Sequence, residues 1–358
     1  MARHGWSSRG GVNGGPTVIN ARAEVRRDLG GVERWARELT QRLPLLRPEA
    51  YRVARPPARL AYSAGQIWEQ VVLPARSARL KASLIISPAN LAPLAWSRNV
   101  IVVHDAVALT HPEWYSSAYV AWQKRILPRL ARGAVAVITV SEFSRNELVA
   151  RLGVDYERIS VIQGGVDAAF SPQADVEGSR RALGLKRPYV LTVATMSERK
   201  NLAALTATAE VLAQDGVDLV VAGQGRSYLR SEGDLAGVLA LGYVPDALLP
   251  GLYAGARSFV MPSKHEGFGL PVVEAMAAGV PVVASDRGGL AEACAGAAIL
   301  VDPDDQEAIT AAVLRATFDE AARRALVAAG SARCVGLTWG RTASQVDELL
   351  MKLSSREL

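Results

Sequence analysis

A chain of 358 residues in which 49% of side chains are apolar and 21% charged is long enough for two domains and too apolar to be disordered. Its net charge of +6 is uneven: residues 1–98 hold 16 Lys and Arg against 6 Asp and Glu, and the acidic excess lies beyond residue 170. No apolar run approaches the ~20 residues that span a bilayer, the Arg/Gly-rich start has no apolar signal core, and the two cysteines, Cys294 and Cys334, exclude a disulfide framework.

In chain order, residues 1–16 show no periodicity and read as a loose tail. Thr17–Ala21 is a short apolar strand, Gly30-Gly31 a turn, and Val32–Leu43 a helix with Val32, Trp35, Ala36, Leu39 and Leu43 on one face. Leu84–Ser87 and Val100–His104 are continuous apolar runs, the pattern of buried parallel strands. Trp122–Arg132 reads as a helix, Ala134–Val140 as a strand, and Ser141–Leu152 as a helix with Ser141 as its N-cap. Ile159–Ile162 is a strand leading into Gly164-Gly165-Val166-Asp167. The alternation then restarts: strands Tyr189–Thr195, Asp218–Ala222, Leu239–Tyr243 and Ser258–Met261, with helices Asn201–Gln214 and Leu248–Ala254 between them. Val280–Ala284 is a further strand, Gln306–Arg315 and Glu320–Ala329 are helices, and Thr338–Leu353 is a terminal amphipathic helix.

Two successive strand–helix series predict two Rossmann-like domains with parallel sheets facing a central cleft. The expected division is a tail over 1–16, an N-terminal Rossmann-like domain over 17–170 and a C-terminal Rossmann-like domain over 171–337. The helix over 338–358 is expected to pack back on the first domain.

The densest chemistry lies between Ser263 and Ser285, where Glu266 and Glu274 flank Gly267-Phe268-Gly269-Leu270-Pro271. Pro271 suits a first helical position, and Gly279 followed by Pro281 suits a helix end. This places Glu266 in a loop and Glu274 in the first turn of a helix. The amides of Phe268, Gly269 and Leu270 open that helix and offer a seat for phosphate. Two hydroxyl-binding carboxylates around a phosphate seat suit a sugar nucleotide.

The tryptophans add a second asymmetry, since six of the seven lie within the first 122 residues. A basic, Trp-rich surface suits an anionic membrane or an anionic acceptor, although in a chain of 35 Arg and 6 Lys it also fits plain solvation. No nucleic-acid motif accompanies the charge, and nucleic acid is not an expected partner.

With these residues in view, the chain resembles the retaining nucleotide-sugar glycosyltransferases of the family-4 type, which have the GT-B fold. The segment Glu266-Gly-Phe-Gly-Leu-Pro-(two residues)-Glu274 resembles that family's paired-glutamate motif. Gly30-Gly31-Val-Glu-Arg, Val103-His104-Asp105, Thr139-Val-Ser-Glu-Phe-Ser144, Gly164-Gly-Val-Asp167 and Ser197-Glu-Arg-Lys-Asn201 follow in the family's order, as do Gly242-Tyr-Val-Pro-Asp246, Leu252-Tyr-Ala-Gly-Ala256 and Thr338-Trp339. The resemblance runs from about residue 17 to the end and is nearest to mannosyltransferase-like members.

The resemblance implies a role for each residue. Glu274 accepts the ribose hydroxyls, and Glu266 faces the donor sugar and stabilises positive charge at its anomeric carbon. Lys200, with Arg199 beside it, neutralises the leaving diphosphate in place of a metal, Lys200 being the stronger candidate because consecutive side chains diverge. His104 lies near the reacting centre, and Gly30 and Gly31 approach phosphate or acceptor. Gly223 lines the donor loop, while Tyr243 and Val244 border the base. Some relatives carry an arginine six positions before the lysine, where this chain has Ala194; at Ala291 many have proline.

The implied protein is cytoplasmic, with peripheral contact at the inner membrane face as a further expectation, and uses no metal or cofactor. It transfers a hexose, mannose from GDP-mannose foremost, to a glycan or lipid-linked acceptor. UDP- or ADP-sugar transfer of glucose or N-acetylglucosamine is the alternative donor chemistry. A GT-B epimerase or phosphorylase and a non-catalytic sugar-nucleotide scaffold are the competing classes.

Overall fold

The computed structural model describes residues 15–25, 30–61, 65–225, 229 and 235–355, so residues 1–14 of the expected tail lie outside it. Among the described residues twelve strands form two six-stranded sheets. The first contains β1 (Thr17–Asn20), β2 (Tyr51–Ala54), β3 (Leu84–Ser87), β4 (Asn99–Val102), β5 (Ala136–Thr139) and β6 (Ile159–Val161), in the order β2-β1-β3-β4-β5-β6. The second contains β7 (Tyr189–Val193), β8 (Asp218–Ala222), β9 (Val238–Gly242), β10 (Ser258–Met261), β11 (Val282–Ser285) and β12 (Ile299–Val301), in the order β12-β11-β10-β7-β8-β9. The strands pair in parallel in both sheets.

The continuous apolar strands have a direct cause. In the second sheet Tyr189, Leu191, Phe259 and Met261 pack in one buried layer, and Val190, Val221, Val260 and Val283 in another. A strand covered by helices on both faces must be apolar at every position rather than at alternate ones. In the first sheet Val18 and Ile85 pack with Trp68, Leu73 and Ala54.

Two compact units interleave along the chain. One holds Met1–Val102, Gly133–Val137 and Ala343–Leu358; the other holds Val103–Arg132 and Ile138–Thr342. In the first, the terminal helix Trp339–Ser355 contributes Asp347, whose carboxylate accepts from Arg47 Nε at 2.8 Å and from the Tyr51 hydroxyl at 2.6 Å. Burial first, and then this hydrogen bond, raises the Tyr51 hydroxyl far above its ordinary pKa, so it stays a donor.

The helix expected over Asn201–Gln214 is broken at its start. Two short 3-10 turns, Glu198–Lys200 and Leu202–Leu205, precede the α-helix Thr206–Gln214. Asn201 between them is left-handed at φ +56°, a conformation asparagine tolerates better than most residues. Strands β2 and β12 and the helix Leu290–Cys294 carry too few residues for periodicity to reveal them.

Candidate active site

Strand order locates the site before any side chain does. From β7 the chain moves to β8 on one side, while β10 pairs with β7 on the other. Loops leaving the carboxyl ends of β7 and β10 therefore diverge, and such a switch point is where open α/β sheets bind ligands. The loop after β7 carries Arg199, Lys200 and Asn201, and the loop after β10 carries Pro262 to Gly269. Asn201 joins the two, with Nδ2 donating to the carbonyls of Pro262 at 3.2 Å and Pro303 at 2.7 Å. The Lys264 amide donates to the Arg199 carbonyl at 2.9 Å.

Glu266 receives both cations. Arg199 Nη1 donates to Oε2 at 3.0 Å, and Lys200 Nζ donates to Oε1. The expectation that consecutive side chains diverge therefore gives way to a 3-10 turn that brings both onto one carboxylate. Glu266 and Lys200 are buried, and the Arg199 side chain is 14% exposed. Burial alone pushes the Glu266 carboxyl up, but the Arg199 and Lys200 charges outweigh it and hold the pKa at about 2. Burial pulls Lys200 below the ordinary lysine value, with Arg199 adding to it against the attraction of Glu266. Arg199 is raised, because Glu266, Tyr115 and Asp105 together outweigh its desolvation. Arg199 Nε and Ser197 Oγ, also buried here, have no hydrogen-bond partner among the described residues.

The backbone beneath Glu266 is fixed at three successive carbonyls. That of His265 accepts from Arg199 Nη1 at 2.8 Å, and that of Glu266 from the Gly289 amide at 2.8 Å. The Gly267 carbonyl accepts from Ser141 Oγ at 2.5 Å and from Ser144 Oγ at 3.2 Å. Ser144 Oγ also donates to the His104 carbonyl at 3.1 Å. A Cβ on Gly267 would lie 2.5 Å from that same carbonyl, and one on Gly289 would lie 2.2 Å from the Gly267 oxygen. His104, buried beyond the end of β4, is therefore brought against the Glu266 loop through main chain.

Helix Leu270–Ala277 follows, with Gly269 left-handed at φ +102° and Pro271 in its first turn. Glu274 is its fifth residue, beyond the expected first turn, because the helix starts at Leu270. The Tyr253 hydroxyl donates to the buried Glu274 Oε2 at 3.0 Å. Phe268 is buried, and Leu270 is half-buried at the helix start.

Gly223 ends β8 at φ +139°, where a Cβ would meet the Ala194 carbonyl at 1.9 Å, so close strand packing alone requires glycine. Tyr243, 47% exposed, and Val244, in the apolar core, follow edge strand β9. Gly30 and Gly31 belong to the other unit, where they open helix Gly31–Leu46 and the Gly30 amide donates to Glu33 Oε2 at 3.0 Å. Gly30 is extended rather than left-handed. Sequence reasoning missed Asn201 as a tether, the Gly288-Gly289 pair beneath Glu266, and the hydroxyls holding Gly267. Among the described residues no group of three or more His, Cys, Asp or Glu is placed to hold a metal ion.

Two Rossmann-like sheets of parallel strands, with a carboxylate and two cations converging where the second sheet's strand order reverses, match the GT-B fold. Solved structures with this fold include sucrose-phosphate synthase from Thermosynechococcus elongatus (TM-score 0.75, 21% identity, 95% of this chain and 99% of that one). Anabaena HepE, solved with UDP-glucose, superposes with a TM-score of 0.71 at 20% identity over 94% of this chain and all of that one. Residues 29–170 match the model of Glycosyltransferase Family 4, and residues 187–319 that of Glycosyl transferases group 1. The O-antigen chain mannosyltransferase B of Escherichia coli is 32% identical over 270 residues, 71% of this chain and 70% of that protein. The chain belongs to this glycosyltransferase family and is a transferase. The D-inositol 3-phosphate glycosyltransferase of Arthrobacter sp. is 30% identical over 60% of this chain and 55% of its own length. The serotype-specific mannosyltransferase WbdA of Escherichia coli is 27% identical over 75% of this chain but only 35% of its own length.

Proposed function

We propose that this chain transfers mannose from GDP-mannose, with retention of configuration, to a glycan or lipid-linked acceptor of surface-polysaccharide or glycolipid synthesis. The observation that carries the reading is the buried Arg199–Glu266–Lys200 cluster at the strand switch point. A diphosphate entering there would take over the two cations, whose charges then stabilise the leaving group without a metal. Glu266, released from them, would stabilise positive charge at the anomeric carbon. In this mechanism the leaving phosphate accepts the acceptor proton on the face it departs from, which retains configuration. Mannose is favoured by the mannosyltransferases among the relatives, and a nucleotide sugar by the UDP-glucose complex of HepE.

A lipid-linked acceptor also calls for a membrane surface. No helix among the described residues is long and apolar enough to cross a membrane. On the segment Gly65–Arg79, Ile67 and Val71 are 54% and 61% exposed and recur at helical spacing. Arg76, Arg79 and Lys81 are also exposed in this stretch of chain, a composition suited to peripheral contact with an anionic leaflet.

The test is a melting-temperature screen against GDP-mannose, UDP-glucose, UDP-N-acetylglucosamine and ADP-glucose, followed by donor turnover with and without phosphatidylglycerol vesicles. GDP-mannose is expected to stabilise the protein most and to yield an α-linked product. Lys200→Ala is expected to lower turnover and Glu274→Ala to weaken nucleotide binding. A UDP- or ADP-sugar preference overturns the donor, and binding without turnover returns the scaffold reading. Loss of vesicle sedimentation in Ile67→Glu/Val71→Glu supports the membrane face, and unchanged sedimentation removes it.

A further inference from the structure

His265 and Glu147 have no part in the chemistry above, yet they meet directly behind it. His265 is buried, and its Nε2 lies 3.0 and 3.1 Å from the two carboxylate oxygens of Glu147, on helix Glu142–Leu152. A carboxylate accepts, so this geometry assigns the hydrogen to Nε2. The ring is packed edge-on by Phe143 at 5.3 Å and by His111 at 5.7 Å between centroids, and His111 in turn stacks on Trp114 at 4.2 Å. Nδ1 is buried without a hydrogen-bond partner among the described residues.

That orphaned atom makes imidazole a poor choice for filling space. A phenyl ring would occupy the site without burying an unpaired polar atom, which costs stability. What a phenyl ring lacks is the directional bond to Glu147. That bond fixes the ring, and Arg199 fixes the same residue's carbonyl, so His265 is held at both ends immediately before Glu266.

We infer that the Glu147–His265 pair is a positioning device, tying the Glu266 loop to helix Glu142–Leu152 so that the carboxylate is preset for the reacting sugar. The inference rests on the transferase reading of Glu266. Neither residue touches the reacting atoms; both act through Glu266. Loss of the tie lets the Glu266 carboxylate wander while leaving the nucleotide contacts in place, so the effect falls on turnover rather than on donor binding.

The test is steady-state donor consumption by the full chain carrying Glu147→Ala, Glu147→Gln or His265→Phe, with the unfolding midpoint of each variant. For Glu147→Ala and His265→Phe, kcat is expected to fall about tenfold with donor KM within about twofold, since small misplacements of a reacting group cost rate more than binding. Glu147→Gln, whose amide oxygen still accepts from Nε2, is expected to recover most of the loss. Unchanged kcat, kcat and KM moving together, or a Gln variant no better than Ala each overturns the inference. If the wild-type chain consumes no nucleotide sugar, the functional reading falls and amide exchange judges the pair. Faster exchange at Glu266–Phe268 in Glu147→Ala than in the rest of its unit supports it, and unchanged exchange overturns it.

Discussion

Glu266 shows how one side chain ties function to stability. Its carboxyl is held at about 2 in the folded chain against an ordinary value of 4.5, so the folded state favours the ionised form. A lowered carboxyl pKa stabilises the fold at any pH above about 4.5, and that contribution disappears as the pH falls towards 2. Glu266→Gln is therefore expected to unfold at lower urea concentration at pH 7, and to approach the wild type as the pH drops from about 4.5 to 2. Urea titrations at pH 7, 5, 4 and 3 check this, and a gap between the two proteins that stays constant with pH would count against it. The same substitution leaves Arg199 and Lys200 buried without their carboxylate, so activity is expected to fall with stability.

At the scale of elements, motifs far apart in sequence turn out to be halves of one contact. Val166 of the Gly164–Asp167 segment forms a parallel bridge with Thr338, and its amide donates to the Leu337 carbonyl at 2.9 Å. A Cβ on Gly165 would lie 2.1 Å from the Trp339 nitrogen and 2.2 Å from the Thr338 carbonyl carbon. Backbone cannot move aside as a side chain can, so Gly165→Ala is expected to destabilise by about 2–3 kcal/mol. Gly133→Ala serves as the control, because nothing lies within 4 Å of its added methyl; calorimetry showing equal midpoints for the two variants would refute the crowding argument. The composition of such segments is legible in sequence, since glycine marks close approach, but the partner is not. Long apolar strands such as Leu84–Ser87 and Asp218–Ala222 were readable to the residue, because burial on both faces leaves an unbroken run. Glu266, Arg199 and Lys200 were readable as residues, whereas their convergence depended on a 3-10 turn that periodicity does not encode. His265 gave no signal at all, for its meaning depends on Glu147, 118 positions away.

Across the whole molecule, the two cysteines report on one unit alone. Cys294 and Cys334 both fall in Val103–Arg132 and Ile138–Thr342, the unit that holds the Glu266 cluster. Burial raises Cys294 to about 12 and Cys334 to about 11, so neither offers thiolate at neutral pH in the folded chain. Cys294 packs in the same apolar layer as Phe259, Met261 and Val272, directly under the strands and helix that present the site. Its modification therefore requires that layer to open, and a ligand bound only to the closed form suppresses the opening by mass action. With donor at 100 times its Kd, modification of Cys294 is expected to slow about 100-fold, equivalent to about 2.7 kcal/mol. Mass spectrometry of thiol-alkylated peptides, with and without GDP-mannose, measures the ratio at Cys294 directly. If the melting temperature rises with donor while the Cys294 rate stays unchanged, the donor is seated on the other unit, and the assignment of nucleotide binding to the β7–β10 switch point fails.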